Sequence, residues 1–139
     1  MLVKLHIGNN QVEDTGAYDI ASVLRVNTTL TELDLQNNKI GDQGALHLAV
    51  ALIHNEGLQS LYLQQNAVGV VGGQHLVDSL RSNTVGSSDF TYVIYGFVVT
   101  TQTLTTLDVR CNPIGVELRT CIDEFIARNA GKPKKKLRT

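Results

Sequence analysis

Asp34 and Asp108 are the two carboxylates whose spacing could do chemistry. Each follows a leucine of a recurring pattern, and the pattern sets them two strands apart. On ordinary sheet spacing that is about 9–10 Å, near the separation used by inverting glycosidases, where one carboxyl donates a proton and the other activates water. Such a pair needs one carboxyl desolvated, so that it keeps its proton near neutral pH. Nothing beside either residue supplies that, and catalysis is not expected. His47 and His75 occupy equivalent positions and read as solvent-facing, because two such histidines fall short of a metal's ligand set. Cys111 and Cys121 lack C-x-x-C spacing and read as packing or surface thiols. No P-loop, Gly-rich phosphate loop or Ser–His–Asp arrangement is present. The chain is therefore expected not to be an enzyme and to use no cofactor or metal.

The elements that position these residues come from an internal repeat of 28 residues. Residues 2–29, 30–57 and 58–85 align, and a fourth unit starts at Leu104. Leu2, Leu30, Leu58 and Leu104 form one column; Leu5, Leu33, Leu61 and Leu107 another; Ile7, Leu35, Leu63 and Val109 a third. Then come Asn10, Asn38, Asn66 and Asn112, followed by Val12, Ile40, Val68 and Ile114. The x-L-x-L part alternates as a half-buried strand does. Downstream pairs such as Leu48 and Leu52, or Leu76 and Leu80, have the i, i+4 spacing of a helix with one buried stripe. Neither element buries its face alone, so neighbouring units must stack into a shared core. Each unit closes on Asn27, Asn55, Asn83 or Asn129. Gly16, Gly44 and Gly72 suit close approach of helix to strand; Leu118 breaks that column, which suits a last unit with no successor.

The pattern L-x-x-L-x-L-x-x-N-x-[IV], followed by G-x-x-x-[LI]-x-x-x-[LI], resembles the leucine-rich repeat. The 28-residue length with a full helix resembles the ribonuclease-inhibitor type, and "NTTLTELDLQNNKIGDQGALHLA" is similar to the repeats of NOD-like receptors. The resemblance implies an α/β solenoid, with a curved parallel sheet inside and helices outside. It also implies that each column asparagine bonds backbone groups inside the turn that leaves the strand. The expected organisation is repeats over 1–130 (2–29, 30–57, 58–84 with an insertion at 85–102, and 104–130), then a basic tail at 131–139. Met1 directly precedes the first repeat leucine and leaves no room for a cap. The chain is thus expected to be a fragment of a longer array, marginally stable or associating through that end.

The insertion is seamless. Removing Val85–Gln102 joins Thr84 to Thr103 and gives "NTTLTTLDV", nearly the "NTTLTELDL" of 27–35. Val codons begin GT and CAG encodes Gln, so a short translated intron is the leading expectation. A surface loop and a binding hairpin built on "TYVIYGFVV" stand as alternatives. Four of the seven aromatic residues (Phe90, Tyr92, Tyr95 and Phe97) lie in this block and fit no repeat column.

Charge narrows the partner. The net charge is −1, but Lys132, Lys134, Lys135, Lys136 and Arg138 concentrate positive charge in the tail and leave the body acidic. The body lacks the basic patch that nucleic-acid binding needs, and no apolar run approaches the roughly 20 residues of a membrane span. Two cysteines without a signal sequence fit a cytoplasmic protein; the tail reads equally as a nuclear-localisation signal or a solubilising end. Residues beside the buried strand leucines face the concave side of the solenoid. They are Lys4, His6, Glu32, Asp34, Gln36, Tyr62, Gln64, Asp108 and Arg110. This polar, varied surface is expected to bind a protein partner, with Tyr62 and Arg110 the types that most often anchor interfaces. A regulator of a small GTPase, resembling the Ran GTPase-activating proteins and using Arg110, is the alternative. Deleting Val85–Gln102 should raise the urea midpoint, because it restores the repeat spacing and removes an uncharged strand-prone segment. A lower midpoint would show that the block packs as part of the fold.

Overall fold

The computed structural model describes residues 1–82 and 103–131. The expectations for the insertion at 85–102, for Asn83 and for the tail from 132 onward lie outside the described residues. Four short strands alternate with four helices: β1 (Lys4–His6), α1 (Asp14–Leu24), β2 (Glu32–Asp34), α2 (Asp42–His54), β3 (Ser60–Tyr62), α3 (Val70–Ser82), β4 (Thr106–Asp108) and α4 (Val116–Asn129). The strands form one parallel sheet in chain order. Leu5 lies opposite Leu33, Leu33 opposite Leu61, and Leu61 opposite Leu107, so the sequence columns are rows of the sheet. No helix among the described residues is long and apolar enough to cross a membrane.

The core runs between sheet and helices. Leu33, Leu35, Ile40 and Leu48 of the second unit are fully buried, as are Leu61, Leu63, Val68 and Leu76 of the third. Their counterparts in the first unit, Leu5, Ile7, Val12 and Ile20, are half-buried, because only one side of that unit is stacked among the described residues. At the far end Gly131, with φ +70, follows α4 in the left-handed conformation that glycine adopts without strain.

The column asparagines do more than close their own turns. Asn38 donates from Nδ2 to the carbonyls of Leu35 and Gln36 in its own unit, and to Ile7 of the unit before. Its Oδ1 accepts the N–H of Val12, also in the unit before. Asn66 does the same with Leu35 and Ile40, and Asn112 with Leu63 and Val68. Each amide thus satisfies its own bend and joins it to its predecessor. A second row closes the helices: Asn55 donates to the Leu24 and Asn27 carbonyls and accepts from the amides of Gly57 and Leu58.

A third row was not legible as such in the columns. Asp14, in the first turn of α1, accepts the N–H groups of Gly41 and Gly44 at 2.7 and 2.9 Å. Asp42 accepts those of Gly69 and Gly72 at 2.6 and 2.9 Å. Each carboxylate therefore caps the next helix, where exposed amides and the helix dipole favour an anion. The glycines allow close approach within the unit, where a Cβ on Gly44 would lie 2.7 Å from Ile40 and one on Gly72 2.9 Å from Val68, and they serve a second contact as well. Gly44 and Gly72 make room for a carboxylate from the preceding unit. At Leu118, where the column departs from glycine, the residue of the preceding unit in the aspartate position is Val70.

Asn38→Ala should cost about 1–3 kcal/mol, since buried bend groups lose their partners. Asn10→Ala should cost much less. Asn10 is exposed and bonds only the Ile7 and Gly8 carbonyls among the described residues. Denaturant melts of the two variants give the comparison.

Candidate protein-binding face

Alternation along each three-residue strand turns the central leucine inward and its neighbours outward. Register then lines the outward residues into rows: Lys4, Glu32, Ser60 and Thr106 in one, and His6, Asp34, Tyr62 and Asp108 in the next. Beyond the strand ends Gln36, Gln64 and Arg110 continue the surface. All nine residues singled out in the sequence therefore share one face of the sheet. Lys4, His6 and Arg110 are exposed; Glu32, Asp34, Gln36, Tyr62, Gln64 and Asp108 are half-buried.

These side chains are tied to one another. Glu32 receives Lys4 Nζ at 2.8 Å on one oxygen and meets His6 Nε2 at 2.7 Å on the other. The Lys4 hydrogen bond, then that of His6, holds the Glu32 carboxyl below the usual carboxylate range, and the Glu32 hydrogen bond raises Lys4. Asp34 accepts the Gln36 amide N–H and Nε2, and Gln36 Oε1 accepts Gln64 Nε2 at 2.8 Å. A relay of amides thus crosses from β2 to β3. The Gln64 Oε1 at its end is buried and has no partner among the described residues.

Asp108 and Arg110 form the strongest local pair. The guanidinium forks onto both carboxylate oxygens, with Nη2 at 2.6 Å and Nε at 2.9 and 3.1 Å. The Arg110 hydrogen bond lowers the Asp108 pKa, and partial burial opposes it without winning. Asp108 is partly desolvated after all, yet its guanidinium partner keeps it ionised. That is the opposite of what a general acid needs.

The helical side offers little chemistry. His47 meets Tyr18 edge-on, with ring centroids 5.0 Å apart. His47 and His75 are half-buried rather than fully solvated. Among the described residues no three histidines, cysteines or carboxylates gather as a metal set would. Two open depressions lie on this side, one lined by Ser22, Arg25, Val26 and His54, the other by residues that include Asp14, Tyr18 and His47. Cys111 is exposed and Cys121 half-buried.

One feature of the rim escaped sequence reasoning. Asn9, Asn37, Gln65 and Cys111 all have φ between +49 and +58. They turn the chain out of the strand, and Asn37 Nδ2 reaches Asn9 Oδ1 at 2.8 Å. Asn tolerates this conformation better than most residues, so the first two members carried a signal; Gln65 and Cys111 carried none.

A family model described as "Leucine Rich repeat" matches residues 1–21, 26–49 and 101–117. The chain matches no curated protein. Among solved structures it is similar to the actin-binding site 2 of leiomodin-1, at 17% identity, over 93% of this chain and 81% of that one, with a TM-score of 0.61. It is also similar to the C-terminal domain of Caenorhabditis elegans tropomodulin, at 17% identity, over 94% and 85%, with a TM-score of 0.59. At such identity the likeness is one of fold.

Arg110→Ala should raise the Asp108 titration midpoint observed by NMR. With the lowered folded-state pKa, the pair's contribution is present above the ordinary carboxylate pKa and fades as pH falls through the folded one. An unmoved midpoint would show that the fork does not persist in solution.

Proposed function

Taking the chain as a leucine-rich repeat solenoid, we propose that it is a non-catalytic protein-interaction module that binds a protein partner on its concave face. The observation that carries this reading is the sheet itself. Its strands are about 4.8 Å apart, and its rows carry varied polar residues, of which Lys4, His6 and Glu32, and Gln36 and Gln64, are joined across strands. Such a surface can match a partner over a wide area, and its side chains have already lost much of the freedom that binding would remove. A deep, dry pocket is what catalysis on a small substrate asks for, and the paired carboxylates and guanidinium of this face serve a different purpose.

Several observations support finer points. The repeat length and full helix support the ribonuclease-inhibitor subtype, and the second unit supports likeness to NOD-like receptor repeats. The acidic body favours a partner with basic patches, with attraction that weakens as salt rises. The similar leiomodin-1 fragment is an actin-binding site, which makes actin the first protein to try. The GTPase-regulator alternative asks Arg110 to reach a nucleotide, whereas its guanidinium is folded onto Asp108.

Tyr62→Ala combined with Arg110→Glu should abolish partner capture and leave the circular dichroism spectrum unchanged. If the double variant retains its partners while His47 and His75 substitutions lose them, the face lies on the helical side. A GTPase turnover assay with Arg110→Ala separates the alternative: loss of stimulation would favour it.

A further inference from the structure

The open side of the first unit carries marks of what it is shaped to receive. At the first two junctions the same three contacts recur. The strand pairs in parallel with its predecessor. A column asparagine accepts an N–H from the predecessor, as Asn38 does from Val12 and Asn66 from Ile40. The predecessor's aspartate caps the helix, as Asp14 does at Gly44 and Asp42 at Gly72.

The aspartate and the glycine go together. A Cβ placed on Gly44 would lie 2.7 Å from Asp14 Oδ1, and one on Gly72 would lie 2.6 Å from Asp42 Oδ1. Contacts within the unit add to the crowding, from Ile40 and Val68, and the neighbour supplies Ala17 at Gly44 and the Asp42 backbone at Gly72 besides the carboxylate. At the last junction the preceding residue is Val70, with 60% exposure, and the glycine is replaced by Leu118. In the adjacent column, Glu13, Gly41, Gly69 and Gly115, the carboxylate is less crowded: a Cβ would lie 3.3 Å from Asp14 on Gly41 and 3.1 Å from Asp42 on Gly69, and Gly115 has φ +80.

Gly16 stands in the diagnostic column without its carboxylate. A Cβ there would meet only Val12 of its own unit among the described residues, at 3.0 Å. Asn10 Oδ1, likewise, has no donor among the described residues, and β1 is paired there on one edge alone. Leu2 and Val3 are exposed beside the half-buried Leu5 and Ile7.

We infer that this face is a docking surface for a further leucine-rich repeat that lies parallel to β1 and carries an aspartate at its helix start. That aspartate caps α1 at the amides of Glu13 and Gly16, and a main-chain N–H of the same repeat bonds Asn10 Oδ1. A second copy of this chain is the wrong occupant, because its last unit presents Val116 where the aspartate is required. This surface is separate from the concave face, so its test is independent of the proposed partner binding.

The experiment inserts a copy of residues 2–29 ahead of Leu2, which supplies both the aspartate and the amide. The longer chain should melt at a higher temperature and protect the Lys4 and His6 amides from hydrogen exchange. Gly16→Ala should leave the melting temperature of the native chain unchanged or raise it by a few degrees, as alanine is the better helix former. In the longer chain the same substitution should lower it, and changing the added aspartate to Ala should remove that penalty. An equal effect of Gly16→Ala in both chains would overturn the inference. So would a dimer of the native chain, seen by sedimentation, that dissociates on Leu5→Asp.

Discussion

A chain that leaves a buried strand through a tight bend exposes amide and carbonyl groups to an interior without water, and each must find a partner. In this protein the partner is a side-chain amide. Asn38, Asn66 and Asn112 each bond their own bend and the bend before it. One interaction thereby sets both the shape of a unit and its distance from the last. Stacking, sheet register and the leucine core all follow from that spacing. The buried leucines supply most of the apolar stabilisation, yet leucine packing tolerates small shifts. The amides do not, because hydrogen bonds weaken steeply with angle and distance.

The same spacing builds the candidate binding face. Register places Glu32 between Lys4 and Ser60, and Tyr62 between Asp34 and Asp108. The charges then settle onto one another. Exposed pairs such as Lys4–Glu32 contribute little to stability. They hold long side chains in place and give the face a fixed pattern of donors and acceptors. The Arg110–Asp108 fork shows the cost of that arrangement to any catalytic role: the carboxylate that could have held a proton is kept ionised.

Much of this was legible in the sequence. The leucine and asparagine columns predicted every described strand and its register, because burial of a shared core keeps those positions apolar, with Ile7 and Val109 standing for leucine in one column. The outward positions followed from alternation. What the columns did not reveal were contacts that run between units. Asp14 and Asp42 looked like ordinary acidic residues in a first helical turn, and their reach to the next helix depends on the stacking distance. The left-handed residues were half legible, in Asn9 and Asn37, and hidden at Gln65 and Cys111, whose types give no sign of that backbone conformation. The Asp108–Arg110 fork was hidden too: sequence placed both residues on the face and could not say that they would close on each other.

The amide ladder is the element on which the other layers rest, and one measurement reaches it directly. The N–H groups of Val12, Ile40 and Val68 sit just past the bends, and each has an asparagine Oδ1 of the following unit as its acceptor. Residue-resolved hydrogen exchange under native conditions reads them one by one. The ladder predicts that Ile40 and Val68 exchange as slowly as the core strand amides, with opening as a unit. Exchange at the rate of exposed loop amides would contradict it, and would mean that leucine packing alone holds the repeats together.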